Sequence, residues 1–318
     1  MSKCFIIIST FLMLLAYEMP SAAKGYKPGD IEAASALETI KSDLSFLSDD
    51  LCMGRESGTD GAETARRYIV NRFRNTGLSP FDWQFTQSFR EDGKTFRNVV
   101  GVVRSTTETN KTIVICAHYD HLGVIKGTIY NGADDNASGV AALLYIADAF
   151  MRRKAAGAEI GCNIVFVALD GKEKNMCGSR YFVENSGIRA TDIICAINID
   201  IIGTDLVPPG RNRNYIIALG ENSLPSVARG ILSSLCWRKE YGLDLSLSFY
   251  GSRDFTRIMY ETGDHGSFAI KKIPAIFFTS GFHDYTYKAG DDTDIINFEL
   301  LYKRAKLIFE FADYIQKQ

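Results

Sequence analysis

Four short clusters carry the groups able to do chemistry: AHYDHLG with His118 and Asp120, GADDNASG with Asp134 and Asp135, DGKEKNMCGS with Lys172 and Glu173, and NIDIIG with Asp200. One imidazole with several carboxylates is the donor set of a hydrolytic zinc site. Asp120, two residues beyond His118, is spaced to take the other ring hydrogen of a ligating imidazole. Asp134 and Asp135 precede a helical pattern, where the helix dipole also favours a carboxylate. Taken singly, an aspartate after a strand is a helix cap; four such clusters in order make a site. No C-x-x-C pair occurs, which removes zinc-thiolate and thioredoxin-like readings.

Each cluster follows a short apolar run. Strand-like runs begin at Asn98, Thr112, Asn163, Ile193, Tyr215 and Ile273, several of them continuously apolar, as strands buried on both faces are. Between them the period turns helical. Ala65, Tyr68, Ile69 and Phe73 share one face of a helix ending at Gly77. A second helix starts near Ser138, with Asn136 or Ser138 as its cap, and the C-terminal stretch points Leu301, Ala305, Ile308 and Phe309 inward. This alternation predicts an α/β protein, a three-layer αβα sandwich around a mostly parallel mixed sheet, with residues 24–318 as one domain. The carboxyl ends of adjacent strands are where such sheets place their sites. Residues 205–214 read as an excursion loop. Residues 241–264 read as a strand pair or lid, with Phe249, Tyr250, Phe255 and Tyr260 as apolar contacts for a ligand.

The bulk properties exclude other classes. The 318 residues carry 36 Lys and Arg against 38 Asp and Glu, a net charge of -2, and no basic run, so nucleic acid is not an expected partner. Lys3, the apolar stretch from Cys4 to Ala16, and Pro20-Ser21-Ala22-Ala23 form a secretory signal pattern over residues 1–23 with cleavage after Ala23. The apolar stretch is too short for a membrane span, so the expectation is an exported protein, periplasmic or secreted, without integral membrane association. Of the remaining cysteines, Cys116 and Cys195 lie inside strand runs and read as small buried hydrophobes.

With these residues in place, the chain resembles the co-catalytic zinc aminopeptidases of metallopeptidase clan MH, a group that also contains glutaminyl cyclases. The resemblance extends from the LSDDLCMGRESGTDG segment to DHGSFAIKKIPAIFF and covers nearly all of residues 24–318. It implies that His118, Asp135 and Asp200 hold one zinc, with Asp135 as a bridge and Asp120 behind His118. It makes Glu173 the acidic ligand of a second metal. Two positions depart from the family. Lys172 stands where the family has its general-base glutamate, and Tyr287 stands where it has its last histidine ligand. One zinc is therefore expected, and a second only if Tyr287 or the nearby His283 completes its site; His283 itself reads as an ordinary loop histidine. Lys172 has three readings: a site that no longer turns over, an ammonium in the second metal position, or a base with a lowered pKa. The implied activity is release of N-terminal residues from peptides. The alternatives are a non-catalytic binder of peptides or other amine-bearing ligands, and a glutaminyl cyclase-like acyltransferase, which the departures at Tyr287 and Lys172 affect more.

Overall fold

The computed structural model describes residues 28–206 and 212–318; the signal pattern and part of the 205–214 loop lie outside them. The strands are β1 (Ser79–Pro80), β2 (Thr86–Glu91), β3 (Lys94–Val103), β4 (Thr112–His118), β5 (Gly123–Ile125), β6 (Thr128–Tyr130), β7 (Asn163–Leu169), β8 (Ile193–Ile199), β9 (Tyr215–Leu219), β10 (Asp244–Ser246) and β11 (Ala275–Thr279). The helices are α1 (Pro28–Leu47), α2 (Asp60–Thr76), α3 (Gly139–Ala155), α4 (Cys177–Asn185), α5 (Ser226–Trp237), α6 (Arg253–Glu261), α7 (Asp264–Ile270) and α8 (Phe298–Ile315).

One large sheet runs β1-β3-β7-β4-β8-β11-β9-β10, with β2 also paired to β3, while β5 and β6 form a separate hairpin. Its centre, β7-β4-β8-β11, is parallel, whereas β3 joins β7 and β9 joins β11 antiparallel. The fold is thus a mixed, mostly parallel sheet between helical layers. The strand period of two sorts the central side chains. Ile113, Ile115 and Ala117 of β4 face a core built with α1, α2, α3 and α8, while Val114 and Cys116 face the other side with Phe182 of α4 and Phe268 of α7. A strand covered on both faces has no polar side to present, which is why these runs are continuously apolar. All six described cysteines are buried free thiols.

Local signals hold these elements in place. Thr59 caps α2 by accepting from the Ala62 amide, and Gly77 ends it at φ 88, a left-handed conformation that glycine adopts at little cost. At α3 the cap is Asn136, whose Oδ1 accepts from the Gly139 amide at 3.0 Å; Ser138 instead donates to the Asp134 carbonyl. Gly139 allows the start of α3 to press against the end of β8, since a Cβ there would lie 2.3 Å from Asn136 Oδ1 and 2.6 Å from the Ile199 carbonyl. That approach sets the GADDNASG segment beside the residue following β8. Residues 241–264 contain β10 and the exposed helix α6 rather than a strand pair. Phe249 is fully buried in a cluster with Tyr215, Ile217, Leu219 and Phe277, and Tyr250, Phe255 and Tyr260 pack partly buried around it.

Candidate metal centre

The adjacent parallel strands β7, β4 and β8 end on one side of the sheet, and their exits carry Lys172 and Glu173, His118, and Asp200 respectively. Asp135 enters from the segment before α3. His118 Nε2 lies 3.1 Å from Asp200 Oδ1 and 3.4 Å from Asp135 Oδ1, with all three residues buried. Ligands bound tetrahedrally to zinc at about 2.0–2.1 Å stand roughly 3.3 Å from one another, which both imidazole-to-carboxylate distances match, and the three donors lie within 4.8 Å of one another. Both oxygens of Asp135 are buried without a hydrogen bond, which a carboxylate meant for a cation explains. The chemistry and spacing of His118, Asp135 and Asp200 therefore fit the metal that the clusters suggest.

The support around this triad differs from expectation at Asp120. The His118 ring nitrogen Nδ1 faces the backbone carbonyl of Asp120 at 3.0 Å, and the Asp120 carboxylate is farther, at 3.7 Å. That carboxylate accepts the Lys172 amide at 3.1 Å and the Glu173 amide at 3.0 Å. Asp120 thus orients the imidazole through its main chain and the Lys172-Glu173 pair through its side chain.

Lys172 reaches into the cluster. Its Nζ lies 3.1 Å from Glu173 Oε1, 3.7 Å from Asp135 Oδ1 and 3.4 Å from the Tyr287 hydroxyl. Burial pulls its ammonium down, but Asp135 first, then Asp200 and Glu173, hold it well above the ordinary lysine value. A lysine turned base by a lowered pKa requires the opposite shift. Burial would likewise raise Asp135, yet Lys172 and His118 hold it far below the usual carboxylate range. Burial lifts Glu173 against the pull of Lys172, and lifts the Tyr287 phenol to about 12. Tyr287 is half-exposed, its ring centroid 5.6 Å from Lys172 Nζ.

His283 is turned away. Its Nε2 faces Asp134 Oδ2 at 3.1 Å and its Nδ1 accepts from the Tyr285 amide, so both nitrogens are engaged in holding the loop. Asp134 in turn accepts from the Gly203 amide. Asp291, pushed up to about 7 by burial and then by Asp134, receives the amides of Asp134 and Asp135 at 2.8 and 2.9 Å and so fixes that segment.

Two residues escaped the sequence reading. His121, three positions after His118, is buried, and among the described residues neither of its ring nitrogens has a hydrogen-bond partner. One of those nitrogens, an oxygen of Asp135 and an oxygen of Glu173 lie within 4.8 Å of one another. A second histidine in AHYDHLG was the available signal. Arg55 is the other. Fully buried, it donates from Nε to the Tyr119 carbonyl at 2.7 Å, from Nη1 to those of Leu47 and Asn131, and from Nη2 to that of Gly132 at 2.9 Å.

Beside the centre, Asp264 at the start of α7 is buried, and burial raises its carboxyl to about 6. The folded protein then keeps a proton that the unfolded chain, near pH 4, releases. Stability therefore falls as pH rises from about 4 to about 6, by about 3 kcal/mol for a shift of about two units. Asp264→Asn is expected to remove this slope; melting curves of equal slope for both proteins across that window would refute the assignment.

The comparisons agree with this architecture. Residues 98–312 match the model of peptidase family M28. A curated relative, the alkaline phosphatase isozyme conversion protein of Escherichia coli K12, is 26% identical over 211 residues, covering 60% of this chain and 57% of that protein. The chain spans little more than half of that relative's length, and less of the next ones. A zinc aminopeptidase from Bacillus subtilis superposes with a TM-score of 0.67 at 13% identity, covering 87% of this chain and 95% of that one. The glutaminyl cyclase of Porphyromonas gingivalis gives a TM-score of 0.64 at 20% identity, covering 89% and 98%. At such identities the two structures speak for the fold, and the family match speaks for descent: this chain belongs to peptidase family M28.

Proposed function

We propose that this protein is an exported, zinc-dependent exopeptidase that acts on the N-terminal residues of peptides through a site altered at Lys172 and Tyr287. The observation that carries the reading is the convergence of His118, Asp135 and Asp200, three buried donors at zinc spacing with an otherwise unsatisfied carboxylate among them. Those three residues would hold the metal, and zinc when bound supplies Lewis acidity toward a peptide carbonyl and toward water. The protein's own groups do the rest. Asp120 fixes the imidazole through its carbonyl and the Lys172-Glu173 backbone through its carboxylate, and the Lys172 ammonium neutralises Glu173 and Asp135.

What the chain lacks at position 172 is a proton acceptor, and loss of a positioned base lowers a rate by roughly 10²–10⁴. Slow turnover is thus part of the proposal. The amine-binding alternative gains less support, because Lys172 already neutralises Glu173 at 3.1 Å.

The test pairs metal content with hydrolysis of aminoacyl p-nitroanilides. The zinc-loaded, desalted protein is expected to retain zinc, and His118→Ala to lose it together with any hydrolysis. Zinc retention unchanged by His118→Ala would sink the reading.

A further inference from the structure

A cluster of buried carboxylates has to be neutralised by something. Asp135, Glu173 and Asp200 bring three negative charges to one small volume, and His118 and His121 line it with imidazole nitrogens. The donors divide into two sets that share Asp135. One is His118, Asp135 and Asp200; the other is His121, Asp135 and Glu173. Lys172 lies against the second set, with Nζ at 3.1 Å from Glu173, and also 3.7 Å from the shared Asp135.

We infer that the Lys172 ammonium serves as the resident cation of a second metal position, and that this position is latent: His121, Asp135 and Glu173 take up a divalent ion once the lysine is removed. This inference rests on the proposal above only in assigning the first metal to the other set.

Three observations carry it. His121 is a buried imidazole whose nitrogens have no hydrogen-bond partner among the described residues, and one of them belongs to the cluster. A buried histidine ordinarily engages at least one of its ring nitrogens, as His265 does with Nδ1 at 3.3 Å from the Asn198 amide nitrogen. His121 also comes from the exit of β4, not from the loop carrying Tyr287, so the vacancy left by a histidine at that loop is filled from a different element. The third is charge. One divalent ion with the Lys172 ammonium balances Asp135, Glu173 and Asp200, whereas a second divalent ion beside the lysine leaves net positive charge in a buried site. The lysine is held by its own chain, with its amide fixed on Asp120, so the ammonium needs no free ion to recruit it.

The experiment is zinc stoichiometry by plasma mass spectrometry, after loading with zinc chloride and desalting. It compares the full chain, Lys172→Met, and Lys172→Met combined with His121→Phe, which keeps a ring but removes its nitrogens. The expected result is one additional zinc per chain in Lys172→Met, lost again in the double variant. Lys172→Glu serves as a second replacement should Lys172→Met fail to fold, with the same gain expected. Two zinc ions in the unaltered protein, no gain on replacing Lys172, or a gain that survives His121→Phe would each overturn the inference. An unaltered protein that retains no zinc overturns the hydrolase reading instead; the inference is then still decided by the difference between the proteins.

Discussion

Lys172→Glu should raise hydrolysis of aminoacyl p-nitroanilides by about 10²–10⁴ in kcat, the contribution of a positioned general base. The backbone at this position is already held, because the Lys172 amide donates to Asp120 Oδ1 and the Glu173 amide to Oδ2. A glutamate side chain would therefore leave the chain in the direction the lysine takes, toward Asp135 and the Tyr287 hydroxyl. There it exchanges a group with no lone pair to offer for one that accepts a proton. The change also removes the cation that now faces Glu173, so the four carboxylates of the altered site match two divalent ions in charge. Lys172→Gln is the control: it removes the positive charge without supplying a base, and should leave the rate within a few fold of the starting protein. Equal gains in Glu and Gln variants would show that charge alone limits turnover, and no gain in a zinc-retaining Glu variant would reject the base assignment.

Arg55→Met should lower the melting temperature by roughly 5–10 °C, corresponding to about 3–5 kcal/mol, the loss typical of removing one side of a buried charged network. The guanidinium sits in a cage of four main-chain carbonyls, those of Leu47, Tyr119, Asn131 and Gly132. Methionine fills much of the volume but takes the guanidinium donors from these carbonyls; that of Gly132 still accepts from the Ala137 amide, and each buried acceptor left unpaired costs about 1–3 kcal/mol. The consequences reach the metal centre. Tyr119 lies between His118 and Asp120, and Asn131 and Gly132 lead into the Asp134-Asp135 segment, so the same side chain ties both halves of the first metal set together. Zinc retention in Arg55→Met is therefore expected to fall along with stability. A melting temperature within 2 °C of the starting protein, at roughly 1 kcal/mol of difference, would show that water replaces the guanidinium as the donor to these carbonyls.

The sequence on its own determined the architecture and the chemistry-bearing clusters at the strand ends. Strand and helix periods, residue type and cap positions are local properties of the chain, so they placed the runs that became β3, β4, β7, β8, β9 and β11 and the inward faces of α2 and α8. The clusters at the strand ends were legible for the same reason, since a parallel strand must deliver its following residues to its carboxyl edge. Tertiary structure alone decided how the groups are shared out. That the Asp120 carboxylate holds the Lys172-Glu173 backbone and leaves the His118 ring to the Asp120 carbonyl depends on contacts across 52 and 53 positions of the chain. That His283 turns to Asp134 depends on one across 149 positions. Whether His121 or Tyr287 stands beside Glu173, and whether Lys172 points into the carboxylates or out to solvent, follows from the approach of α3 to β8 and from the path of the loop after β11. Such choices are settled by packing and by charge balance in a buried volume, and those exist only once distant segments have been brought together.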